Sequence, residues 1–326
     1  NSSIFMFKAD SNKLLQIVGI IVLIIFLTTI DFTILNSIFL RLDFNWAITF
    51  ISLWMFGLLI KGYIWQFILK KLKIINISLK DSSLSIIVGI SSGTLLPGKV
   101  DAARPLILKS VYGIEYKKSL VALLMERFML FISLIFSLLL FSTLVINELK
   151  FDSSSMLLLS FLFILLISFL LKFEFVMQKF EQLLLISPLS LKWKNQIILF
   201  FEEIKLAITN IGERKTLFFL FILYLLTWFV EILRFYFVFE FVEILIDFQI
   251  LSFSYFASNL FSLIVPGGIG IFEYSQLTLI SFMSENEDSA IGLAILIYRI
   301  LFYYSNVFLG ALMLFFSKQI FKESQL

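Results

Sequence analysis

Long uninterrupted apolar runs constrain this chain more than any other feature of its sequence. A helix needs roughly 17 to 25 apolar residues to cross the hydrocarbon layer of a bilayer. The composition agrees with such an environment, because 60% of the 326 residues are hydrophobic and only 15% are charged. The sequence predicts an all-α polytopic membrane protein with six full transmembrane helices. These lie at 14–30, 46–69, 119–146, 155–171, 216–239 and 290–316.

Two further apolar segments, at 83–110 and 251–283, are each interrupted by proline and glycine. The interruptions read LLPG at 95–98 and VPGGIG at 265–270, and each half is too short to span a bilayer. The non-helical backbone at such an interruption is tolerated at membrane depth only where it is buried in protein or lines a water-filled cavity. The two segments therefore predict re-entrant helical hairpins. Their tips contain Pro97, Gly98, Pro266, Gly267, Gly268 and Gly270.

The distribution of lysine and arginine predicts how these segments are oriented. Basic residues of short loops collect on the cytoplasmic side of a membrane. With a cytoplasmic N-terminus, only Arg41 and Lys150 of the loop residues lie outside, provided that each hairpin enters and leaves on one side. The two hairpin-plus-helix units, 83–146 and 251–316, then have opposite orientations, as in the inverted repeats of transporters. Both termini are predicted to be cytoplasmic.

The connection between the two units is amphipathic. Within 174–214, apolar residues alternate with charged ones at helical spacing, as in LSLKWKNQIILFFEEIKLAI. This pattern is typical of helices that lie in the membrane interface. No segment reads as a soluble domain, so residues 1–326 are predicted to form one transmembrane domain. Lys13 precedes the first apolar run without a small-residue cleavage site, which predicts an uncleaved first span.

The first interruption nearly matches a nucleotide-binding loop. The pattern G-x-x-x-x-G-K-[ST] begins at Gly93 and continues to Lys99, but Val100 stands where a hydroxyl should bind magnesium. No strand can precede it here, so we exclude an ATPase. The chain has no histidine and no cysteine, which removes imidazole and thiolate chemistry and the commonest zinc ligands. No cofactor, metal or nucleic acid is predicted.

Charged residues within the apolar runs are the main candidates for function. An unpaired charge costs roughly 2.5 to 3.5 kcal/mol near the centre of a membrane helix, so we expect these residues to pair inside the bundle. Glu231 and Arg234 have the i, i+3 spacing of a pair that fixes helix packing. Lys61 is expected to extend to the cytoplasmic interface. Glu126 and Arg127 are adjacent and point in different directions, so at least one must reach another helix.

Polar residues have parallel positions after the two interruptions. Arg104 and Glu273 each stand seven residues after a hairpin proline, and Arg127 and Arg299 lie on the helix that follows. The half-helices that begin after the tips offer N–H groups and partial positive charge to an anion. Guanidinium groups bind phosphate with two parallel hydrogen bonds. The predicted binding residues are Lys99, Asp101, Arg104, Glu126, Arg127, Glu273, Tyr298 and Arg299.

The same stretches resemble a known membrane family. SGTLLPGKVDAAR is similar to its first motif and is followed by an E-R pair in LLMERF, and SNLFSLIVPGGIGIFE, at 258–273, is similar to its second motif and is followed by a Y-R pair. These motifs resemble the flippase-like family typified by the transmembrane region of lysylphosphatidylglycerol synthases, over about 14–316. The family more often has G-G-E or G-E before the first arginine. Here KVDAAR assigns the acidic role to Asp101.

The resemblance implies a lipid flippase or transporter in the plasma membrane of a bacterium or archaeon. Its substrate would be a phosphate-bearing lipid, either a modified phospholipid or a polyprenyl-linked glycan, whose anionic headgroup is held by Arg104, Arg127 and Arg299. No segment here resembles the cytosolic aminoacyl-transferase domain of the synthases, so the resemblance implies translocation and not synthesis.

Two alternatives stay open at this point. One is an intramembrane lipid-modifying transferase with Glu273 or Glu126 as general base. The other is a non-transporting scaffold for a separate lipid synthase or glycosyltransferase. Association with further copies of the chain, as a homo-oligomer, is also left open.

Overall fold

Every element of the described chain is helical. The computed structural model describes residues 17–34, 38, 43–94, 101, 103–145, 161, 198, 202, 214–263, 265 and 268–315. The predicted span at 155–171 and the connector at 174–214 lie, apart from isolated positions, outside these residues. In chain order the helices are α1 (Ile17–Thr28), α2 (Phe44–Lys71), α3 (Leu79–Thr94), α4 (Ala103–Tyr112), α5 (Tyr116–Leu144), α6 (Arg214–Phe241), α7 (Phe248–Phe261), α8 (Ile271–Met283), α9 (Asp288–Tyr298) and α10 (Ser305–Phe315), with a 3-10 turn at Phe32–Ile34 and a π-helical segment at Arg299–Tyr304.

Four stretches of the described chain are long and apolar enough to cross a membrane. They are Phe44–Lys71, Tyr116–Leu144, Lys215–Phe241 and the continuous stretch Asp288–Met313, which contains α9, the π-helical segment and the start of α10. The shortest has 26 residues, or about 39 Å at 1.5 Å per residue. Four of the six predicted spans therefore correspond to helical stretches of sufficient length and apolarity. In its described part, α1 is a shorter apolar helix.

The ends of α2 illustrate why a span begins and ends where it does. The Asp43 carboxylate accepts a hydrogen bond from the Trp46 N–H at 2.9 Å, which satisfies one of the open donors of the first turn. Lys70 and Lys71 stand in the last turn, where positive charge is favoured by the helix dipole. The polar residues that end the apolar run thus also stabilise the helix.

The first interrupted segment contains two short helices, α3 and α4, that pack against each other. Near the interruption, the Ala103 N–H donates to Ser92 Oγ at 3.4 Å, and at the far end of the pair the Tyr112 hydroxyl donates to Asp81 Oδ2 at 3.1 Å. α3 has 16 residues and α4 has 10. Neither helix therefore reaches about 30 Å at 1.5 Å per residue.

The second interrupted segment forms a similar helix pair from α7 and α8. Near the interruption the rings of Tyr255 and Phe272 are in contact, with centroids 5.8 Å apart. At the far end the Asn286 side-chain amide donates to the Leu245 carbonyl oxygen at 3.4 Å. α7 has 14 residues and α8 has 13, and both are again too short to span.

Helix α6 lies between two hydrophobic clusters. The larger cluster joins α6 to α1, α7, α8 and α9, with Phe235 and Phe256 buried in it. The second joins α6 to α2, α3, α4 and α5, with Trp65 and Leu220 fully buried. α6 therefore packs against both hairpin units and connects their two cores.

Gly270, at the N-terminus of α8, has a backbone conformation that is accessible mainly to glycine. Its φ is +80° and its ψ is −54°. A Cβ at this position would collide with the backbone carbonyl oxygen of Gly19 in α1. Helix α1 therefore packs directly against the tip of the second hairpin.

We expect Gly270→Ala to lower the melting temperature of the purified protein in detergent. The added methyl group overpacks the contact with α1, which costs roughly 1 to 3 kcal/mol, in addition to the strain of a positive φ. Gly113→Ala is the matched control, because Gly113 has φ +69° and a Cβ added to it would meet no described atom within 4 Å. Equal melting temperatures for the two variants would contradict this close packing.

Candidate functional site

A cavity of about 530 Å³ is lined by residues of both hairpin units. Much of its wall is apolar, with side chains such as Leu123, Phe131 and Phe302. Charges at membrane depth are costly unless they are paired, so the pairing of the charged lining residues determines what the cavity can bind. These residues are Lys61, Asp101, Arg104, Glu126, Arg127, Glu231, Arg234 and Arg299.

Arg104 is the centre of an ionic cluster in the first unit. Its Nη1 and Nη2 donate to Glu126 at 2.5 and 3.0 Å, and its Nε donates to Asp101. The guanidinium also lies over the Trp65 ring, 4.5 Å from the centroid. Arg104 is only 2% exposed, and all three of its side-chain nitrogens have partners. Gly89 leaves room for the cluster, because a Cβ there would collide with Asp101.

Glu273 and Arg299 form the corresponding pair in the second unit. Arg299 Nε donates to Glu273 Oε1 at 2.5 Å, and the Tyr304 hydroxyl approaches the same oxygen at 3.4 Å. The guanidinium carbon of Arg299 lies 3.7 Å from the centroid of the Tyr303 ring and 4.8 Å from that of Phe272. Arg299 Nη2 is buried and has no hydrogen-bond partner among the described residues.

The N-termini of α4 and α8 each carry a carboxylate of the protein itself. The Arg104 N–H donates to Asp101 Oδ1 at 3.2 Å, and the Gly270 N–H donates to Glu273 Oε2 at 2.8 Å. The sequence predicts open N–H groups at both ends, and for these two groups the prediction is wrong, because neighbouring carboxylates use them. A ligand anion is therefore expected on side-chain donors instead.

Glu231 accepts hydrogen bonds from three side chains in a third cluster. Lys61 Nζ and Arg234 Nη1 donate to Glu231 Oε1 at 2.5 and 2.8 Å. The Tyr298 hydroxyl donates to Oε2 at 3.2 Å and is 2.9 Å from the Tyr255 hydroxyl. The i, i+3 pair is confirmed. The expectation that Lys61 extends to the interface is wrong, because the buried carboxylate attracts its ammonium group into the cavity.

Arg127 and Tyr224 have donors without partners. The neighbouring Glu126 crosses to Arg104, which confirms that the adjacent acid and base diverge. Within the part of the chain that the structure describes, Arg127 makes no ion pair, and its buried Nε donates no hydrogen bond. The buried Tyr224 hydroxyl is likewise unpaired there. An unsatisfied buried donor costs about 1 to 3 kcal/mol, so both groups are suited to a ligand oxygen.

The described ionic groups at the cavity carry one surplus positive charge. Each carboxylate is paired with at least one cation, and Arg127 is the cation left over. In a low-dielectric cavity such a surplus favours an anion. The five cations are Lys61, Arg104, Arg127, Arg234 and Arg299, and the four carboxylates are Asp101, Glu126, Glu231 and Glu273.

Most of the predicted binding residues come together around this cavity. Glu273 lies behind Arg299 and does not itself line the wall, and Lys99 lies outside the described residues. Tyr298 contacts Glu231, whereas Tyr303 is the ring nearest to the Arg299 guanidinium. The six predicted residues that line the cavity are Asp101, Arg104, Glu126, Arg127, Tyr298 and Arg299.

The hairpin tips are described in part. Gly268 and Gly270 have φ of +68° and +80°, and the Gly268 N–H donates to the Val265 carbonyl oxygen at 2.9 Å. The second tip therefore contains a tight turn for which glycine is suited. The remaining predicted tip residues lie outside the described chain: Pro97, Gly98, Pro266 and Gly267.

The sequence did not identify the tyrosines of the cavity beyond Tyr298. Tyr224, Tyr255 and Tyr303 lie in apolar runs, where a tyrosine has no spacing that distinguishes a lining residue from one that faces lipid. Their hydroxyl groups are the only available signal, since a buried hydroxyl requires a partner. That signal becomes useful only when the helix faces are known.

The helices and the cavity together define a polytopic, all-helical membrane protein with a buried ionic site. Its interior charges come from both hairpin units and from α2 and α6. The chain belongs to the family of the lysylphosphatidylglycerol synthase transmembrane region. The sequence model of this family matches residues 14–310. The family connects the chain with lipid metabolism in a membrane. No curated protein and no solved structure matched the chain.

Proposed function

We propose that this protein moves lipids with an anionic, phosphate-bearing headgroup between the two leaflets of a membrane. The observation that carries the proposal is the cavity with its surplus positive charge and its unpaired donors on Arg127 and Arg299. Guanidinium groups form strong, charge-assisted hydrogen bonds to phosphate oxygens. The family membership supports a lipid as the source of that phosphate.

In this proposal the two hairpins are re-entrant and enter the membrane from opposite sides. Their helices are too short to cross the membrane. The basic loops collect on one side only if each hairpin returns to the side from which it entered. The two units also use related chemistry. In each, a carboxylate that accepts from a backbone N–H at a half-helix N-terminus also binds an arginine, namely Asp101 with Arg104 and Glu273 with Arg299. Both termini are then cytoplasmic.

The headgroup enters the cavity while the acyl chains remain in the lipid. Its phosphate binds first to the open donors of Arg127 and Arg299. Because Arg299 also holds Glu273, the arriving phosphate competes with that carboxylate for the guanidinium. Arg104 stays with Asp101 and Glu126, since each of its three side-chain nitrogens already donates to one of these carboxylates. The two inverted units then rock against each other and expose the cavity to the other leaflet.

The proposal places the protein in the plasma membrane of a bacterium or archaeon. A separate lipid synthase or glycosyltransferase would supply the substrate. No bond of the lipid is made or broken in this mechanism, so the chain acts as a transporter and not as an enzyme.

Transport by the purified protein tests the proposal. We expect vesicles of phosphatidylcholine that contain the protein and a trace of fluorescent phosphatidylglycerol to expose inner-leaflet label to dithionite. Protein-free vesicles should protect that label. The recovered lipid should be chemically unchanged by mass spectrometry, which separates transport from a transferase. Label protection equal to that of protein-free vesicles would contradict transport and favour the scaffold.

A further inference from the structure

Every carboxylate of the described cavity is already held by cations of the protein. Glu126 is bound by two nitrogens of Arg104, and Asp101 by a third. The other two carboxylates, on Glu231 and Glu273, each accept from at least one cationic side chain and one further donor. An ammonium group on a lipid would therefore find no free carboxylate among the described residues of the cavity.

The aromatic faces that could bind an ammonium group are also partly used. The Arg299 guanidinium lies over the rings of Phe272 and Tyr303, and the Arg234 guanidinium lies over Phe302 at 5.2 Å. Each of these two cations lies over the negative face of a ring that would otherwise attract a lipid ammonium. Together with the surplus positive charge of the cavity, these arginines repel the ammonium group of a lipid.

Three buried donors of the cavity wall have no partner among the described residues. They are the Nε of Arg127 on α5, the hydroxyl of Tyr224 on α6 and the Nη2 of Arg299 on the π-helical segment. Tyr224 is 2% exposed and Arg299 is 3% exposed, so bulk water is not their partner. Each of the three is a donor that an oxygen atom of an anionic headgroup in the cavity would satisfy.

From these contacts we infer that the transported lipid has a net negative headgroup without an ammonium group, and that Tyr224 binds its phosphate together with Arg127 and Arg299. This inference rests on the lipid transport proposed above and names the substrate class of the same site. Zwitterionic and cationic headgroups are excluded by charge, even where their phosphodiester is identical.

Binding of short-chain lipids to the purified protein in detergent tests the inference. Dihexanoyl phosphatidylglycerol and dihexanoyl phosphatidylethanolamine share one phosphodiester and differ in its alcohol, which is uncharged glycerol in the first and ammonium-bearing ethanolamine in the second. Inorganic phosphate provides a third probe that has the anion without a lipid. Calorimetric titration is made with wild type, with Tyr224→Phe and with Tyr274→Phe. Tyr274 is the matched control, because it is 44% exposed on α8.

We expect wild type to bind the anionic lipid at least about tenfold more tightly than either other probe. Tyr224→Phe should weaken that binding by roughly tenfold, without a loss of thermal stability, because its hydroxyl has no described partner to lose. Tyr274→Phe should bind like wild type. These results together would support the inference.

Different results would overturn the headgroup specificity and the proposed lipid transport. Equal binding of the two lipids would overturn the exclusion of ammonium headgroups, and unchanged affinity in Tyr224→Phe would overturn the assignment of this tyrosine. Equally tight binding of inorganic phosphate would overturn a lipid as the source of the anion. If neither lipid binds folded wild type and the vesicles show no transport, the proposed function itself fails.

Discussion

Arg127→Gln is expected to reduce lipid transport in vesicles to about the rate of protein-free vesicles. Arg127 is the cavity cation without a carboxylate partner in the described chain, and its Nε is buried and unpaired. A hydrogen bond to a charged group contributes about 1.5 to 3 kcal/mol, which corresponds to roughly a tenfold to 100-fold loss of affinity for the headgroup.

Lys118→Gln is the matched control for this variant. Lys118 lies on the same helix, α5, but it is exposed and pairs with Glu115 at 3.6 Å. Such surface pairs contribute little, so this variant should transport like wild type. Arg127→Gln should also melt like wild type, because no described ion pair is broken. Equal transport by the two variants would contradict a role for Arg127 in binding the headgroup.

Arg104→Ala is expected to destabilise the protein by about 3 to 5 kcal/mol, since removing one partner of a buried ion pair leaves uncompensated charge. Here the loss leaves two carboxylates, Asp101 and Glu126, without their shared cation. Thermal unfolding in detergent measures the effect. The sequence alone assigns Arg104 to the headgroup. Its complete set of internal partners assigns it to holding α4 against α5.

Neutralising the two carboxylates provides the control for this second variant. Adding Asp101→Asn and Glu126→Gln to Arg104→Ala should recover part of the lost stability, because the buried negative charges are then absent. The single variant should also leave less folded protein than Lys118→Gln. Wild-type melting of Arg104→Ala would show that the cluster does not stabilise the fold.

The spans could be predicted because their signal is local. A run of apolar residues of sufficient length specifies a helix in lipid without knowledge of any partner, and this holds for α2, α5, α6 and the stretch Asp288–Met313. The pair of Glu231 and Arg234 was predictable for the same reason, since i, i+3 spacing places the two side chains on one helix face.

The pairing across helices could not be predicted from the sequence. Lys61 looks like an interfacial lysine until α6 places Glu231 beside it. Asp101 and Glu273 look like neighbours of open helix ends until their carboxylates are seen on the Arg104 and Gly270 N–H groups. In each case the hydrogen-bond partner of the carboxylate is the donor that lies close to it in the folded protein. Which donor that is depends on how the helices pack.

The unpaired donors could not be predicted from the sequence for the same reason. Arg104 and Arg127 are both arginines near the first hairpin, and nothing in their spacing indicates which one is neutralised. The bidentate contact of Arg104 with Glu126 settles this in the fold, and it leaves Arg127 available. Of the three arginines that the sequence assigns to the headgroup, Arg104 is therefore occupied by partners within the protein, and Arg127 and Arg299 remain available.

The most direct test of the central claim is the identity of the lipids that copurify with the protein. Wild type and Arg127→Gln should be purified in mild detergent from the same membranes, and their bound lipids compared by mass spectrometry. We predict that one class of net-anionic lipid is enriched with wild type and lost from the variant. Retention of the same bulk membrane lipids by both proteins would contradict an anionic lipid site in the cavity.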